Sequence, residues 1–171
     1  MGLSPPRSVV PMMPEWPTIV LVVKEPERAQ EIRAQLNHAG LRNMVLTVRC
    51  VNELSRLLRT RESRETPHPV GFVIIESHLW RANFSRLNKV RKEGRAPFLP
   101  LMVLFDSPVS LQRFELARPF LAGGLLAPFT GQALILALER LHRQWLATGE
   151  SDACTSWAAE VAGWCAAGRV A

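Results

Sequence analysis

The feature that most constrains the fold is a regular alternation between short apolar runs and longer segments with helical periodicity. Five runs have the length of strands, and they lie at 18–23, 44–51, 70–75, 99–105 and 123–127. The first and third runs are apolar on both faces, which is typical of central strands in a parallel sheet. Arg49 lies inside the second run, so we expect that strand at an edge of the sheet.

A helix is expected after each run, because each following segment has a helix start signal and a 3.6-residue apolar period. The expected N-caps or first residues are Pro26, Asn52, Asn83, Ser107 with Pro108, and Thr130. Gly40 is expected to end the first helix. The side chains expected to face inward on the second, third and fifth helices are Leu54, Leu57 and Leu58, then Phe84, Leu87 and Val90, and finally Leu134, Leu138, Leu141 and Trp145.

Five successive strand–helix units predict a parallel sheet with helices on both faces, because right-handed crossovers return the chain beside its previous strand. The common order for five such strands is 2-1-3-4-5, with ligands at the carboxyl ends of the first and third strands. The sequence therefore predicts a doubly wound α/β fold with its functional residues at the carboxyl edge of the sheet.

The chain of 171 residues has room for one domain, which we place at 18–146. Residues 1–17 contain five prolines and are expected to form a flexible leader. The tail at 147–171 carries an apolar stripe and is expected to form a short amphipathic helix, which could dock on its own domain, contact a partner or stay disordered. A tail of this length is too short for an effector domain, so we expect a stand-alone protein.

Several classes of protein are excluded by composition. No apolar run reaches the roughly 18 residues of a membrane span, and the N-terminus lacks a continuous apolar signal segment. The three cysteines and four histidines fit no metal-ligand spacing, so we expect no metal and no disulfide framework in a cytoplasmic protein. The loop after the first strand has no glycine to cradle a phosphate, and no nucleophile elbow is present, so we expect no cofactor and no enzymatic activity.

The positive charge is concentrated in one stretch of the chain. Residues 49–95 contain 11 Lys and Arg against 5 acids, a surplus equal to the whole net charge of +6. Solvated helix faces account for this pattern, but a basic surface also attracts nucleic acid, phosphate or an acidic protein. A basic nucleic-acid-associated regulator is therefore the alternative function, although no recognisable reading module or aromatic platform appears.

The segments VLVVKEPE, FVIIESHLW, LPLMVLFDS and AGGLLAPFT end at the predicted carboxyl edge. Together they resemble the receiver domain of bacterial two-component response regulators, over roughly residues 17–145. The resemblance implies a flavodoxin-like fold and a role in phosphorelay signal transduction. Its most specific parts are the spacing of the five units and the sequence Pro128-Phe129-Thr130 after the last strand.

The positions that carry out phosphorylation in that family are changed here. The resemblance places the acidic pair on Lys24 and Glu25, the phosphoacceptor on Glu76, the hydroxyl residue on Phe105 and the lysine on Ala127. Phosphoryl transfer to a carboxylate needs a divalent cation and donors for the phosphoryl oxygens. We therefore expect a degenerate receiver, or pseudo-receiver, that is not phosphorylated.

The sequence allows two interpretations of Glu76. It could imitate a phosphorylated state with a fixed negative charge, or it could pair with Lys24 and fill space. We favour the second and expect a salt bridge between these two side chains, because the family's aromatic switch position falls on Gly124 and the sensing residues are lost. His78 could pair with Glu76 or serve as a structural loop residue.

The implied output is binding to another signalling protein, such as a kinase or a regulator, or to a second copy of the chain. The family commonly dimerises through the side formed by the fourth helix, fifth strand and fifth helix. The residues expected at a homodimer interface on this side and in the adjoining tail are Arg113, Glu115, Arg118, Arg140, Arg143, Trp157 and Trp164.

Overall fold

The computed structural model describes residues 18–41, 43–62, 70–93, 99–116 and 122–147. The expected leader and the tail beyond residue 147 lie outside this part. The described strands form one parallel sheet in the order β2-β1-β3-β4-β5, which confirms the predicted class and strand order. The strands are β1 (Thr18–Val22), β2 (Val45–Val48), β3 (Val70–Glu76), β4 (Leu101–Phe105) and β5 (Ala122–Leu126).

Helices cover both faces of the sheet. They are α1 (Pro26–His38), α2 (Val51–Glu62), α3 (Ser77–Ala82), α4 (Phe84–Glu93), α5 (Pro108–Leu116) and α6 (Gly131–Ala147). The buried side chains of α1 and α6 pack with one set of strand residues, and those of α2, α4 and α5 pack with the other, joined by partly buried residues of α3. Since successive strand residues point to opposite faces, Ile19 and Leu21 join the first core while Val20 and Val22 join the second.

The strand predictions hold, although β1, β2 and β4 are shorter than predicted, and β2 most of all. Every residue of β1 and β4 is buried, as central strands require. β2 lies at an edge of the sheet, as expected, but Arg49 lies just after the strand instead of inside it. The Arg49 backbone N–H donates to Oε2 of Glu53 at 2.7 Å. This hydrogen bond lies where the chain passes from β2 into α2.

Two of the expected helix boundaries are confirmed in detail. Gly40 has a φ of 91°, a left-handed conformation that glycine adopts without a Cβ clash, and it follows the end of α1. Oγ1 of Thr130 accepts a hydrogen bond from the backbone N–H of Ala133 at 3.1 Å, so Thr130 caps α6.

One expected cap is wrong and another is confirmed only in position. α2 already begins at Val51, so Asn52 lies inside it and its Oδ1 accepts a hydrogen bond from Arg86 at 2.5 Å. Asn83 directly precedes α4, and its carbonyl oxygen accepts from the N–H of Leu87 at 2.9 Å, but its side chain donates to the carbonyl oxygen of Leu79 at 2.9 Å, in an additional helix, α3. Sequence reasoning missed α3 because its six residues contribute no fully buried side chain and hence no apolar period.

Most residues expected to face inward do so. Leu54, Leu87, Leu134, Leu138 and Leu141 are buried, and Leu57 and Leu58 pack against the second core. Phe84 is the exception, since 41% of it is exposed at the start of α4. The side chains of Val90 and Trp145 lie outside the described part.

Within the described ranges, no helix combines the length and the apolar character needed to cross a membrane.

Candidate functional site

The parallel sheet brings all five expected pocket residues to one edge. Glu76 is the last residue of β3 and Phe105 the last of β4, while Lys24 and Ala127 follow β1 and β5 closely. The fifth residue, Glu25, occupies the N-cap position of α1, where its backbone carbonyl accepts from the N–H of Ala29 and its exposed side chain makes no capping bond. These residues therefore lie together at the carboxyl edge of the sheet, and a functional role for them stays a prediction.

Lys24 and Glu76 meet, but not through the expected salt bridge. The backbone N–H of Lys24 donates to Oε2 of Glu76 at 3.4 Å, a long hydrogen bond, while the ammonium forms no ion pair with that carboxylate. The expectation of a salt bridge is wrong because the turn after β1 directs the N–H of Lys24 toward β3. Its side chain stays exposed, where the ammonium keeps its hydration.

The ionic neighbour of Glu76 is His78, in the first turn of α3. Nε2 of His78 lies 3.7 Å from Oε2 of Glu76, and the Glu76 side chain is only 16% exposed. Of the two interpretations of His78, pairing with Glu76 is the one that the geometry matches. A protonated His78 would offset the Glu76 charge from its exposed side.

Phe105 does not extend over the edge of the sheet. Its side chain is fully buried, and its ring packs against Phe114 of α5 with centroids 5.2 Å apart and a 51° tilt. The link between Phe105 and Ala127 is through the backbone, since the N–H of Ala127 donates to the carbonyl oxygen of Phe105 at 2.7 Å. The side chains at these two positions therefore offer a phenyl ring and a methyl group, neither of which donates a hydrogen bond to an anion.

The position that matches the family's aromatic switch is filled by its neighbours. Gly124 lies in β5, and a Cβ added there would come 2.6 Å from Cδ1 of Leu111, 3.1 Å from Cε2 of Phe105 and 3.2 Å from Cδ1 of Phe114. No space remains in which a side chain at residue 124 could move between two positions.

The edge also lacks a compact set of acidic ligands. In the described ranges, no three His, Cys, Asp or Glu side chains lie close enough to hold a metal ion. A hard divalent cation prefers several carboxylate or carbonyl oxygens, and the carboxylates at this edge are dispersed over Glu25, Glu76 and Asp106. Glu25 and Asp106 are both exposed to solvent.

The residues expected at a homodimer interface are only partly described. Arg113, Glu115 and Arg140 are exposed, and Arg118, Trp157 and Trp164 lie outside the described residues. Nη2 of Arg143 lies 3.7 Å from Oε2 of the buried Glu139, an ion pair within α6. Because Arg113 and Glu115 are two residues apart on α5, they point to different sides of that helix.

Aromatic packing beside the site was not anticipated. The Trp80 ring lies edge-on to Phe84 and to Phe114, with centroid distances of 5.4 and 5.1 Å. Nη2 of Arg81 donates to Oγ of Ser110 at 2.7 Å. Both contacts depend on α3, the helix that periodicity did not reveal.

No family model matches this chain, and no curated protein matches it by sequence. Solved structures match its fold. A response regulator receiver modulated diguanylate cyclase from Pelobacter carbinolicus aligns with a TM-score of 0.53 and 16% identity, over 78% of this chain and 99% of that chain. The signal receiver domain of an HD domain-containing protein from Pseudomonas fluorescens Pf-5 aligns with a TM-score of 0.57 and 19% identity, over 80% and 95%.

A response regulator in red light signaling of R. palustris aligns with a TM-score of 0.56 and 15% identity, over 78% of this chain and 96% of that chain. The resemblance stated from the sequence is thus confirmed at the level of the fold. The described part of the chain has the flavodoxin-like fold of receiver domains.

Proposed function

We propose that this chain is a receiver-like signalling protein that acts by binding another protein, without phosphorylation of an acidic residue and without catalytic turnover. The observation that carries the proposal is the combination at the carboxyl edge of Glu76 with the buried ring of Phe105 and the methyl group of Ala127. The fold is that of a receiver domain, but the side chains at these positions lack the groups that phosphoryl transfer requires.

The chemistry of the edge supports the absence of phosphorylation. A carboxylate that accepts a phosphoryl group needs a divalent cation to offset the accumulating charge and donors for the equatorial oxygens. Among the described residues, the carboxylates at this edge form no cluster that could hold such a cation, and Glu76 already receives the N–H of Lys24 and lies near His78. The donor positions carry Phe105 and Ala127.

The packing supports a domain that holds one conformation. Phe105, Leu111 and Phe114 surround Gly124, so close contacts connect the edge to α5 and leave no room for a side chain at residue 124. A domain held in one state would bind its partner constitutively. The partner class that we propose is a kinase, a second regulator or another copy of this chain, since the structural neighbours include receiver domains of signalling proteins.

Phosphorylation is tested by incubating the full chain with acetyl phosphate and magnesium and then measuring its intact mass. We expect the unmodified mass, while an aspartate-bearing receiver domain treated in parallel should gain one phosphoryl group. An acid-labile phosphoryl adduct at one per chain, lost in Glu76→Gln, would overturn the proposal.

Partner binding is tested by affinity purification of the full chain from its native cell, followed by identification of the retained proteins. We expect a signalling protein to be retained in a stoichiometric amount and to remain after nuclease treatment. Retention that disappears on nuclease treatment and falls steeply with salt would favour the alternative of a basic nucleic-acid-associated regulator, because phosphate contacts release counterions.

A further inference from the structure

The end of α3 lies against the start of α4 and against one side of α5. The Trp80 ring contacts both Phe84 and Phe114, and the guanidinium of Arg81 bridges to Ser110. These contacts bring side chains of the three helices together. We call this area the α3–α5 surface, and its exposed members are Arg81, Phe84, Val109, Arg113 and Leu116.

Apolar exposure is concentrated on this surface. Phe84 is 41% exposed, Val109 56% and Leu116 85%, and they are three of the five exposed large hydrophobic residues in the described ranges. On α5, Val109, Arg113 and Leu116 follow one another at spacings of four and three residues, so they form one stripe along the helix. Arg113 is also three residues from Ser110, which places this stripe on the side that Arg81 reaches.

The same area is positively charged. Of its five exposed members, two are arginines, Arg81 and Arg113, and none is acidic. Arg81 donates to the neutral hydroxyl of Ser110. This bond orients the guanidinium group without cancelling its charge. Glu115 points to another side of α5 than Arg113, so the stripe carries a cation between apolar residues.

We propose that the α3–α5 surface binds an acidic amphipathic segment of the partner protein. Its apolar side chains would pack on Phe84 and Val109, and its carboxylates would pair with Arg81 and Arg113 in charge-assisted hydrogen bonds. This inference rests on the proposed function and specifies the chemistry of the partner. A nucleic acid fits less well, because aliphatic Val109 and Leu116 offer no stacking surface and the Phe84 ring already packs edge-on with Trp80.

The chemistry of the ligand is tested by selecting binders to the full chain from a display library of random 16-residue peptides. We expect the selected peptides to combine Asp or Glu with Leu, Ile or Phe at helical spacing. Their affinity should fall by about tenfold in Val109→Glu and in Arg113→Glu, because a central anchor or its charge partner is lost. Peptides without an acidic bias would overturn the proposal.

Matched controls are available on other parts of the described surface. Met44→Glu places the same charge at a comparably exposed apolar residue, and Arg33→Glu reverses an exposed arginine of α1. Both should bind the selected peptides as the unmodified chain does. Circular dichroism establishes that each variant is folded, and Val109→Ser replaces Val109→Glu if that variant is not. Equal weakening by the control variants would overturn the assignment to this surface.

Two further outcomes separate this inference from the proposed function. If the native partner is retained equally by Val109→Glu, Arg113→Glu and the unmodified chain, the assignment of partner binding to the α3–α5 surface is wrong. The proposed role of the chain in binding a partner then stands. A phosphoryl adduct at Glu76 would instead overturn the proposed function and leave the peptide selection unaffected. A single-stranded oligonucleotide that displaces the selected peptides would assign this surface to nucleic acid and overturn the inference.

Discussion

The Phe105 ring lies against the backbone of Gly124, with its Cε2 atom 3.1 Å from the position that a Cβ at residue 124 would take. Phe105 ends β4 and Gly124 lies in the middle of β5, so the contact joins two neighbouring strands on the side covered by α5. A large side chain at one position thus requires the smallest residue at the other. A side chain larger than hydrogen at residue 124 would therefore displace the Phe105 ring or its neighbours.

Gly124→Ala should destabilise the chain by about 1–3 kcal/mol, because the added methyl group overpacks the space between Leu111, Phe105 and Phe114. Urea unfolding followed by circular dichroism measures this loss. Gly123→Ala is the matched control on the other face of β5, where the nearest atom is the flexible end of Met102 at 3.2 Å. Equal stability of the two variants would contradict the close packing described here.

Gly131→Ala should be at least as destabilising as Gly124→Ala. A Cβ at residue 131 would collide with the backbone carbonyl oxygen of Gln35, at the contact between the first turn of α6 and α1. A backbone atom cannot rotate away as a side chain can, so the two helices would have to separate, at a cost of about 1–3 kcal/mol or more. Thermal unfolding of the variant beside Gly123→Ala tests this, and an unchanged midpoint would show that the helices can adjust.

Glu76→Gln should leave both stability and partner binding nearly unchanged. The amide keeps an oxygen that accepts the N–H of Lys24, and the Lys24 ammonium is exposed, so no buried charge is left unpaired. We expect a change of within about 0.5 kcal/mol, because Gln has nearly the same size and keeps the acceptor oxygen. The measurements are urea unfolding and retention of the native partner, with Glu25→Gln as the control at the same edge.

Loss of partner binding in Glu76→Gln with stability retained would contradict the interpretation of Glu76 as a space-filling residue. It would establish the carboxylate as a fixed imitation of the phosphorylated state. The Glu25→Gln control shows whether any carboxylate at the edge has this effect or only the one that lies at the end of β3.

The 171-residue chain should form a homodimer at micromolar concentration through the side formed by α5, β5 and α6. Arg140 is exposed on this side, and a self-complementary contact could also bury Trp157 and Trp164 of the tail. Multi-angle light scattering measures the mass, and truncation after Ala147 tests the tail. A monomeric chain would refute the dimer, and a dimer that survives truncation would exclude the tail from the interface.

The sequence by itself determined the layout of the fold. Short runs such as 18–23 and 70–75 are apolar on both faces, and only a sheet covered on both faces buries such strands. Local signals were equally direct, since Gly40 and Thr130 act through their own backbone and nearest neighbours. The residues at the carboxyl edge could also be predicted, because the end of each strand is visible as the end of an apolar run in the sequence.

Only the tertiary structure decided how those residues meet. Lys24 reaches Glu76 through its N–H because the direction of the chain after β1 is set by packing between strands and α1, which residue types do not encode locally. The packing of α3 and the surroundings of Phe84 involve Phe114 of α5, which contacts Trp80 from a distant part of the sequence. Side-chain direction at a chain turn results from such non-local contacts, whereas strand order results from apolar patterning along the chain.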